Sequence, residues 1–152
     1  MFTGKICAII VVVASILLSA SLLAKDTEID AHSESVTDQE RAALDVVARR
    51  TAAYNKHDIG AFLATYDAKV RVYEFPDRFL GAGRARMRDI FAPQFAENDG
   101  RIVVHSQHAL GNTVVSDETT TVYDHTEHNI GIYTVSDGLI IEVRLIEPSE
   151  NR

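Results

Sequence analysis

A carboxylate interrupts an otherwise apolar strand face in the segment KVRVYEF, residues 69–75. Apolar and polar residues alternate along this segment, which predicts a strand with Val70, Val72 and Glu74 on one face. Because burying an unpaired charge is costly, such a carboxylate is exposed, paired with a cation, or held for proton transfer. Glu74 is therefore a candidate general acid/base.

Two histidine pairs raise the question of a metal site. His105 and His108 lie in HSQH, and His125 and His128 lie in HTEH. Residues three apart on a strand point to opposite faces, and no further ligand beyond Glu127 has the spacing of a zinc site, so we predict no metal. His105 alone is a candidate cavity-lining proton carrier, because histidine titrates near neutral pH. The alternative is an ordinary hydrogen-bonded surface or core histidine.

Length and charge restrict the class of protein. The chain has 152 residues, of which 46% are hydrophobic and 24% charged, a composition typical of one globular domain. A formal net charge of −7 argues against a nucleic-acid partner, because phosphate binding needs clustered Lys and Arg. Cys7 is the only cysteine, so the rest of the chain offers no disulfide and no thiolate ligand.

The first 24 residues are typical of a signal peptide. Lys5 precedes an apolar run at residues 6–18, and small residues follow up to a predicted cleavage point after Ala24. The alternative is an uncleaved membrane anchor over residues 6–24, the only membrane contact that we predict. Either interpretation predicts an exported protein, periplasmic or secreted.

The remaining elements must position the candidate residues. Residues 25–36 are polar and aperiodic, which predicts a flexible linker. Thr37 and Glu40 form a capping box at the start of a first helix, Asp58 is the predicted N-cap of a second, and a third follows the glycines of GAG. Period-two patterns then predict four more strands, and the order indicates an α+β domain at 37–148 with a tail at 149–152. The four strands are 101–110, 113–123, 129–135 and 139–147.

The chain resembles the nuclear transport factor 2-like superfamily, in its SnoaL-like and ketosteroid-isomerase-like branch. The resemblance is carried by AAYNKHDIGAFLATYDAKVRVYEFP, LGAGRARMRDIF, ALGNTVVSDE and IGIYTVSDGLIIEVRLIEP, in that order. It implies a cone in which a strongly curved antiparallel sheet packs against three helices and leaves a pocket open at one end. Many such domains pair through the outer face of the sheet, so we expect a homodimer.

The resemblance also assigns positions around this pocket. Glu74 matches the catalytic aspartate base of the isomerases, whereas their tyrosine donor matches Arg50. Their protonated aspartate matches Gly131, and their supporting tyrosine matches Phe91. Because an enolate oxyanion needs preorganised donors, the missing groups argue against steroid isomerisation.

Arg50 and Tyr54 are four residues apart and share one face of the first helix. The resemblance implies that this face looks into the cone. There, Arg50 could neutralise Glu74, orient an anionic ligand or replace the lost donors, and Tyr54 could donate its hydroxyl. The alternatives are that Arg50 points outward and that Tyr54 only packs.

Together these observations predict an exported domain that holds a small hydrophobic molecule with a carbonyl or hydroxyl group. Cofactor-free acid/base catalysis through Glu74, of isomerase, dehydratase or hydrolase type, is one hypothesis. Non-catalytic ligand binding and dimerisation alone are the alternatives. The predicted pocket residues are Arg50, Tyr54, Val72, Phe91, His105 and Gly131.

Overall fold

The computed structural model describes residues 36–147. The signal segment predicted at 1–24, nearly all of the linker and the C-terminal tail lie outside this range, so those predictions stay untested. Three helices and six strands follow one another in the described part. Within it, no helix has an apolar stretch long enough to cross a membrane. The elements are α1 Asp38–Asn55, α2 Ile59–Ala64, β1 Tyr66–Glu74, β2 Arg78–Ala82, α3 Arg84–Ala96, β3 Arg101–Leu110, β4 Thr113–Val122, β5 His125–Ser136 and β6 Leu139–Ile146.

The predicted caps begin the first two helices. Thr37 and Glu40 make both hydrogen bonds of the capping box, and Asp58 accepts from the Ala61 N–H at 2.9 Å. At the other end of α1, the Asn55 side chain exchanges two hydrogen bonds with the backbone of Ile102. These bonds attach α1 to β3 and fix which helical face looks toward the sheet.

The sheet has the strand order β2-β1-β6-β5-β4-β3 and is not closed. Neighbouring strands are antiparallel except β1 and β6, which run parallel. The prediction of an α+β domain with helices packed against this sheet is confirmed. The one departure from the predicted antiparallel sheet is the parallel pairing of β1 with β6, because the last strand returns alongside the first.

Two local predictions are corrected. Residues 78–82 form β2, which the sequence analysis missed because Gly81 weakens the strand pattern. Between the strands predicted at 113–123 and 129–135, the turn consists of Tyr123 and Asp124 alone, so β5 begins at His125, four residues earlier than predicted. Both turn residues have positive φ, 49° and 64°, which is the geometry of a two-residue hairpin turn despite the absence of glycine.

The core lies between the helices and the inner face of the sheet. One row of this face runs through Val114, Tyr133, Val143 and Val72 on four neighbouring strands, and all four are buried. From α1, buried side chains at helical spacing face the same interior. The interior is therefore apolar apart from the polar groups described next.

Candidate ligand-binding site

A buried ion pair joins the first helix to the middle of the sheet. Arg50 on α1 is 6% exposed and Glu118 on β4 is 1% exposed. Arg50 Nη1 lies 3.3 Å from both carboxylate oxygens. The two residues are far apart in the sequence, so only the folded sheet brings them together. A charged pair this deep is unusual, because water that would solvate both groups has been removed.

Hydroxyl groups complete the cluster. The Tyr133 hydroxyl donates to Glu118 Oε1 at 2.7 Å, and the Ser116 hydroxyl donates to Oε2 at 3.3 Å. Arg50 Nε donates to the Tyr66 hydroxyl oxygen at 3.2 Å. The guanidinium also lies 5.0 Å from the Tyr133 ring centre, within cation–π range. We call Arg50, Tyr66, Ser116, Glu118 and Tyr133 the polar cluster.

Gly131 makes the position of the Tyr133 hydroxyl possible. A Cβ at residue 131 would lie 2.5 Å from this hydroxyl oxygen and 2.6 Å from a ring carbon. Any side chain there would therefore displace the hydroxyl from Glu118. The resemblance assigned Gly131 to the pocket as the counterpart of an acid, and in the structure it is the residue over which the Tyr133 ring lies.

Burial and charge set the protonation of the cluster. Burial raises the pKa of Tyr133 well above its ordinary value, and the Glu118 charge adds to this shift while the Arg50 charge opposes it. Burial likewise raises the pKa of Tyr66. Burial by itself would lower the pKa of Arg50, but Tyr133, Tyr66 and Glu118 hold it well above its usual range. Neutral tyrosines therefore surround a charged arginine.

Glu74 lies apart from the polar cluster. Glu74 is aligned across the sheet with Leu145, Gly131 and Ser116, which lie on the inner face. Glu74 therefore lies on the predicted face of β1. Its carboxylate forms an ion pair with Arg78 on β2, and its side chain is 31% exposed. Arg50 contacts Glu118 rather than Glu74. The catalytic role predicted for Glu74 stays a prediction.

Three other predicted pocket residues belong to the core. Val72 is 9% exposed and lies on the inner face. Tyr54 is buried, its hydroxyl donates to Gln94 Oε1 at 2.9 Å, and its ring meets Phe91 edge to face. Phe91 is half-buried and packs against Phe62 at 4.9 Å between ring centres. The arginine and tyrosine of α1 thus share one buried face, as the spacing predicted.

His105 lies on the outer face of the sheet. His105 is exposed, and its Nε2 is 2.7 Å from the hydroxyl of Thr119. Thr119 follows Glu118 on β4, so the two side chains lie on opposite faces of the sheet. A register shift between Val104 and Ser106 accompanies this placement. The structure therefore does not bring His105 together with Arg50. Within residues 36–147, no group of three or more His, Cys, Asp or Glu could hold a metal ion.

Glu118 was not among the site residues predicted from the sequence. A signal was present, because Val114, Ser116 and Glu118 alternate along β4 in the pattern that drew attention to Glu74. Tyr66 and Tyr133 gave no comparable signal. A tyrosine at the start of one strand and another in the middle of a second reveal no shared partner until the strands are placed.

Comparison with known proteins decides the family. The SnoaL-like domain family matches residues 47–143, well over half of the chain. The chain belongs to the SnoaL-like family. The resemblance predicted from the motifs is thereby confirmed. No curated protein matches this SnoaL-like chain significantly.

Solved structures share the fold at low sequence identity. A candidate ketosteroid isomerase from Kribbella flavida has 20% identity and a TM-score of 0.62, covering 75% of this chain and 83% of its own. An LEH-like epoxide hydrolase from M. tuberculosis has 16% identity and a TM-score of 0.60, covering 71% and 84%. TerC, co-crystallized with polyporic acid, has 16% identity and a TM-score of 0.59, covering 71% and 92%. A SnoaL-like fold thus supports a catalytic or ligand-binding domain.

Proposed function

We propose that this SnoaL-like domain binds a small, largely apolar molecule that bears a carbonyl or hydroxyl group. The ligand lies between the helices and the inner face of the sheet, and binding requires no cofactor. The observation that carries the proposal is Arg50, a charged side chain held by Glu118 and Tyr66 inside an otherwise apolar core. Buried polar groups of this kind orient ligands in mostly apolar sites.

We propose that the ligand reaches Arg50 past half-buried apolar side chains. Phe91 packs against Phe62, and the Arg50 guanidinium lies 6.0 Å from the same Phe62 ring centre. Leu145 is the register partner of Gly131. Movement of Phe91 or Leu145 would admit a ligand without breaking the polar cluster. Open grooves of about 640 and 400 Å³ also flank the outer side of α1, but alanines and exposed charges line most of their walls.

The relatives are consistent with this assignment. TerC was co-crystallized with a small molecule, polyporic acid. The other two neighbours bear the names of a ketosteroid isomerase and an epoxide hydrolase, which refer to a ketone and an epoxide. Identities of 16–20% show only that the fold is shared. The ligand proposed for this chain therefore follows from the chain's own residues.

A binding experiment with two matched valine variants tests the proposal. We expect bicyclic ketones and alcohols to bind the full chain in ligand-observed NMR. Val72→Phe should abolish binding, because the ring fills the interior beside the inner-face row. Val115→Phe makes the same change on the outer face, where Val115 is 41% exposed, and should leave binding intact. Binding that survives Val72→Phe but not Val115→Phe would place the ligand elsewhere and defeat the proposal.

Acid/base catalysis through Glu74 is the second candidate function. It is favoured by the position of Glu74 on the inner-face row that contains Gly131 and Ser116. If a bound carbonyl compound is turned over, Glu74→Gln should remove turnover and keep binding. Glu142→Gln is the control, because Glu142 is also an ion-paired strand carboxylate. Equal turnover in both variants would exclude Glu74 as the catalytic group.

We further propose that the protein is exported through its N-terminal segment. The support is the sequence pattern of residues 1–24, a basic start, an apolar run and small residues before Ala24. N-terminal sequencing of the protein recovered outside the cytoplasm should begin at Lys25. Recovery of the full chain from the cytoplasm would contradict export.

A further inference from the structure

The polar cluster contains two hydrogen-bond donors that no described residue uses. A guanidinium has five N–H groups, and Arg50 directs Nε to Tyr66 and Nη1 to Glu118. Its Nη2 donates to none of the residues 36–147. Tyr66 accepts a hydrogen bond from Arg50, and its own O–H likewise has no acceptor in the described range. Both residues are more than nine-tenths buried.

These two donors lie close together because of the shape of arginine. The Nε–H and one Nη2–H bond share an edge of the planar guanidinium and point in nearly the same direction. The Tyr66 oxygen accepts from Nε at 3.2 Å and so lies beside this edge. A ligand oxygen that accepts from Nη2 therefore lies within hydrogen-bond reach of the Tyr66 hydroxyl. One acceptor atom can take both donors.

The acceptors of the cluster, in contrast, are already occupied. Each oxygen of Glu118 receives Arg50 Nη1 and one hydroxyl, from Tyr133 or from Ser116. The Ser116 oxygen also accepts from Gln107 at 3.1 Å. Asn129, opposite Glu118 on β5, keeps a carbonyl oxygen without a partner among the described residues, but that atom is closed off from solvent. A ligand hydroxyl would have to share, for its proton, an acceptor that already receives a hydrogen bond.

The charges of the cluster also restrict the ligand. Glu118 already neutralises Arg50 at 3.3 Å. A ligand carboxylate or phosphate would bring a second negative charge beside Glu118 with one cation to share, and desolvating it would be costly. A neutral acceptor faces no such penalty. Burial raises the pKa of Tyr66, so its hydroxyl keeps the proton that it would donate.

We infer that Arg50 Nη2 and the Tyr66 hydroxyl form a two-donor site for one neutral acceptor oxygen, as in a ketone, ester, quinone or epoxide. The inference rests on the proposed function, because it assigns the polar contact of the same interior ligand. Glu118 and Tyr133 act as positioning residues that hold the guanidinium edge in place. Neither Arg50 Nη2 nor the Tyr66 O–H has an acceptor among residues 36–147, so one ligand oxygen can complete both donors.

Four probes of one shape separate the possibilities. 1-Tetralone carries a carbonyl, tetralin carries none, 1-tetralol carries a hydroxyl, and tetralin-1-carboxylate carries an anion. We expect the full chain to bind tetralone roughly tenfold to a hundredfold more tightly than tetralin, as two modest hydrogen bonds imply. The alcohol and the carboxylate should bind more weakly than the ketone. The carbonyl stretching band of bound tetralone should shift to lower frequency.

A pair of tyrosine variants tests the assignment to Tyr66. Tyr66→Phe should lower the ratio of the affinities for tetralone and tetralin to the value that the Arg50 hydrogen bond gives by itself. The variant should also reduce the shift of the carbonyl band. Tyr73→Phe removes a tyrosine hydroxyl from the opposite face of the same strand, and it should leave the ratio and the band unchanged. If Tyr66→Phe does not fold, the probe ranking and the band shift of the unaltered chain still decide the question.

Each remaining outcome contradicts the site in a different way. Equal affinity for tetralone and tetralin would retain an apolar binding domain and remove the two-donor site. Tightest binding of the carboxylate would mean that Arg50 recognises charge. A ratio unaffected by Tyr66→Phe would assign the carbonyl contact to other groups. Binding of none of the four probes would overturn the proposed function, and this inference with it.

Discussion

The carboxylate of Glu118 accepts hydrogen bonds from three side chains while almost none of its surface is exposed. Arg50, Tyr133 and Ser116 all donate to it. Removing one member of a buried ion pair leaves the other charge without compensation, whereas replacing both by apolar groups is often tolerated. Substituting Arg50 or Glu118 alone should therefore destabilise the fold more than substituting both, and this difference can be measured.

We predict that Glu118→Gln lowers the free energy of unfolding by about 3–5 kcal/mol, because the Arg50 charge loses its partner. The double variant Arg50→Met/Glu118→Leu should recover part of this loss. Urea denaturation of the single and double variants gives the coupling energy. A loss below about 1 kcal/mol for Glu118→Gln would mean that water or another anion reaches Arg50.

Within single elements, backbone conformation rather than charge limits which residues a position accepts. The β4–β5 hairpin turns through Tyr123 and Asp124, and both have positive φ. Residues other than glycine adopt positive φ at an energetic cost. This cost is smaller for aspartate and asparagine than for alanine. The turn is thus shorter and more strained than its sequence indicates.

For this hairpin we predict that Asp124→Gly raises the free energy of unfolding by roughly 0.5–1 kcal/mol, because glycine adopts φ near 64° without strain. Asp124→Ala keeps the same backbone without that freedom and should lower it. Thermal unfolding of the two variants is the measurement. If both shift the midpoint in the same direction, side-chain contacts of Asp124 control the turn.

The limits of sequence reasoning are clearest at this element scale. Alternation located β3, β4 and β6 to within one residue, because period two depends only on neighbours in the chain, whereas β5 begins four residues before its predicted start. β2 was missed because its glycine weakens that pattern. The partner of Arg50 was also missed, since a contact between α1 and β4 depends on strand order, which no local period contains. The candidate site could be predicted only on the helix and β1.

At the scale of the whole molecule, buried tyrosines link the fold to pH. The folded-state pKa values of Tyr66 and Tyr133 lie above the ordinary value of 10.0, with burial as the main cause. A raised folded-state pKa contributes stability that is complete below pH 10 and is lost as the pH rises through the raised value. The free energy of unfolding should therefore begin to fall above about pH 10.

We accordingly expect the free energy of unfolding to fall as the pH rises above 10, with a steeper slope in the unaltered chain than in Tyr133→Phe. The variant lacks one of the hydroxyls that ionise only in the unfolded state. Denaturant titrations at several pH values between 8 and 11 measure the slopes. Identical slopes would show that Tyr133 titrates normally in the folded domain.

The outer face of the sheet has its own consequence for assembly. Val115 is 41% exposed, and it is the register partner of Ile132 at the centre of this face. We propose that two copies pair there. Light scattering should give a dimer, which Val115→Glu converts to a monomer. Ala42→Glu, an exposed change on α1, should not. A monomeric unaltered chain would contradict the proposal.

The parallel pairing of β1 with β6 determines when the domain can fold. The first strand hydrogen-bonds to the last, so it lacks one neighbour until residues 139–146 have been synthesised. Contacts between such distant segments give a high contact order and slow folding. The two-donor site that we propose depends on the same late step, because Tyr66 pairs with Ile140 of β6. Late completion of the sheet fits the export that we propose, because a chain that crosses a translocation channel must do so before its fold is complete.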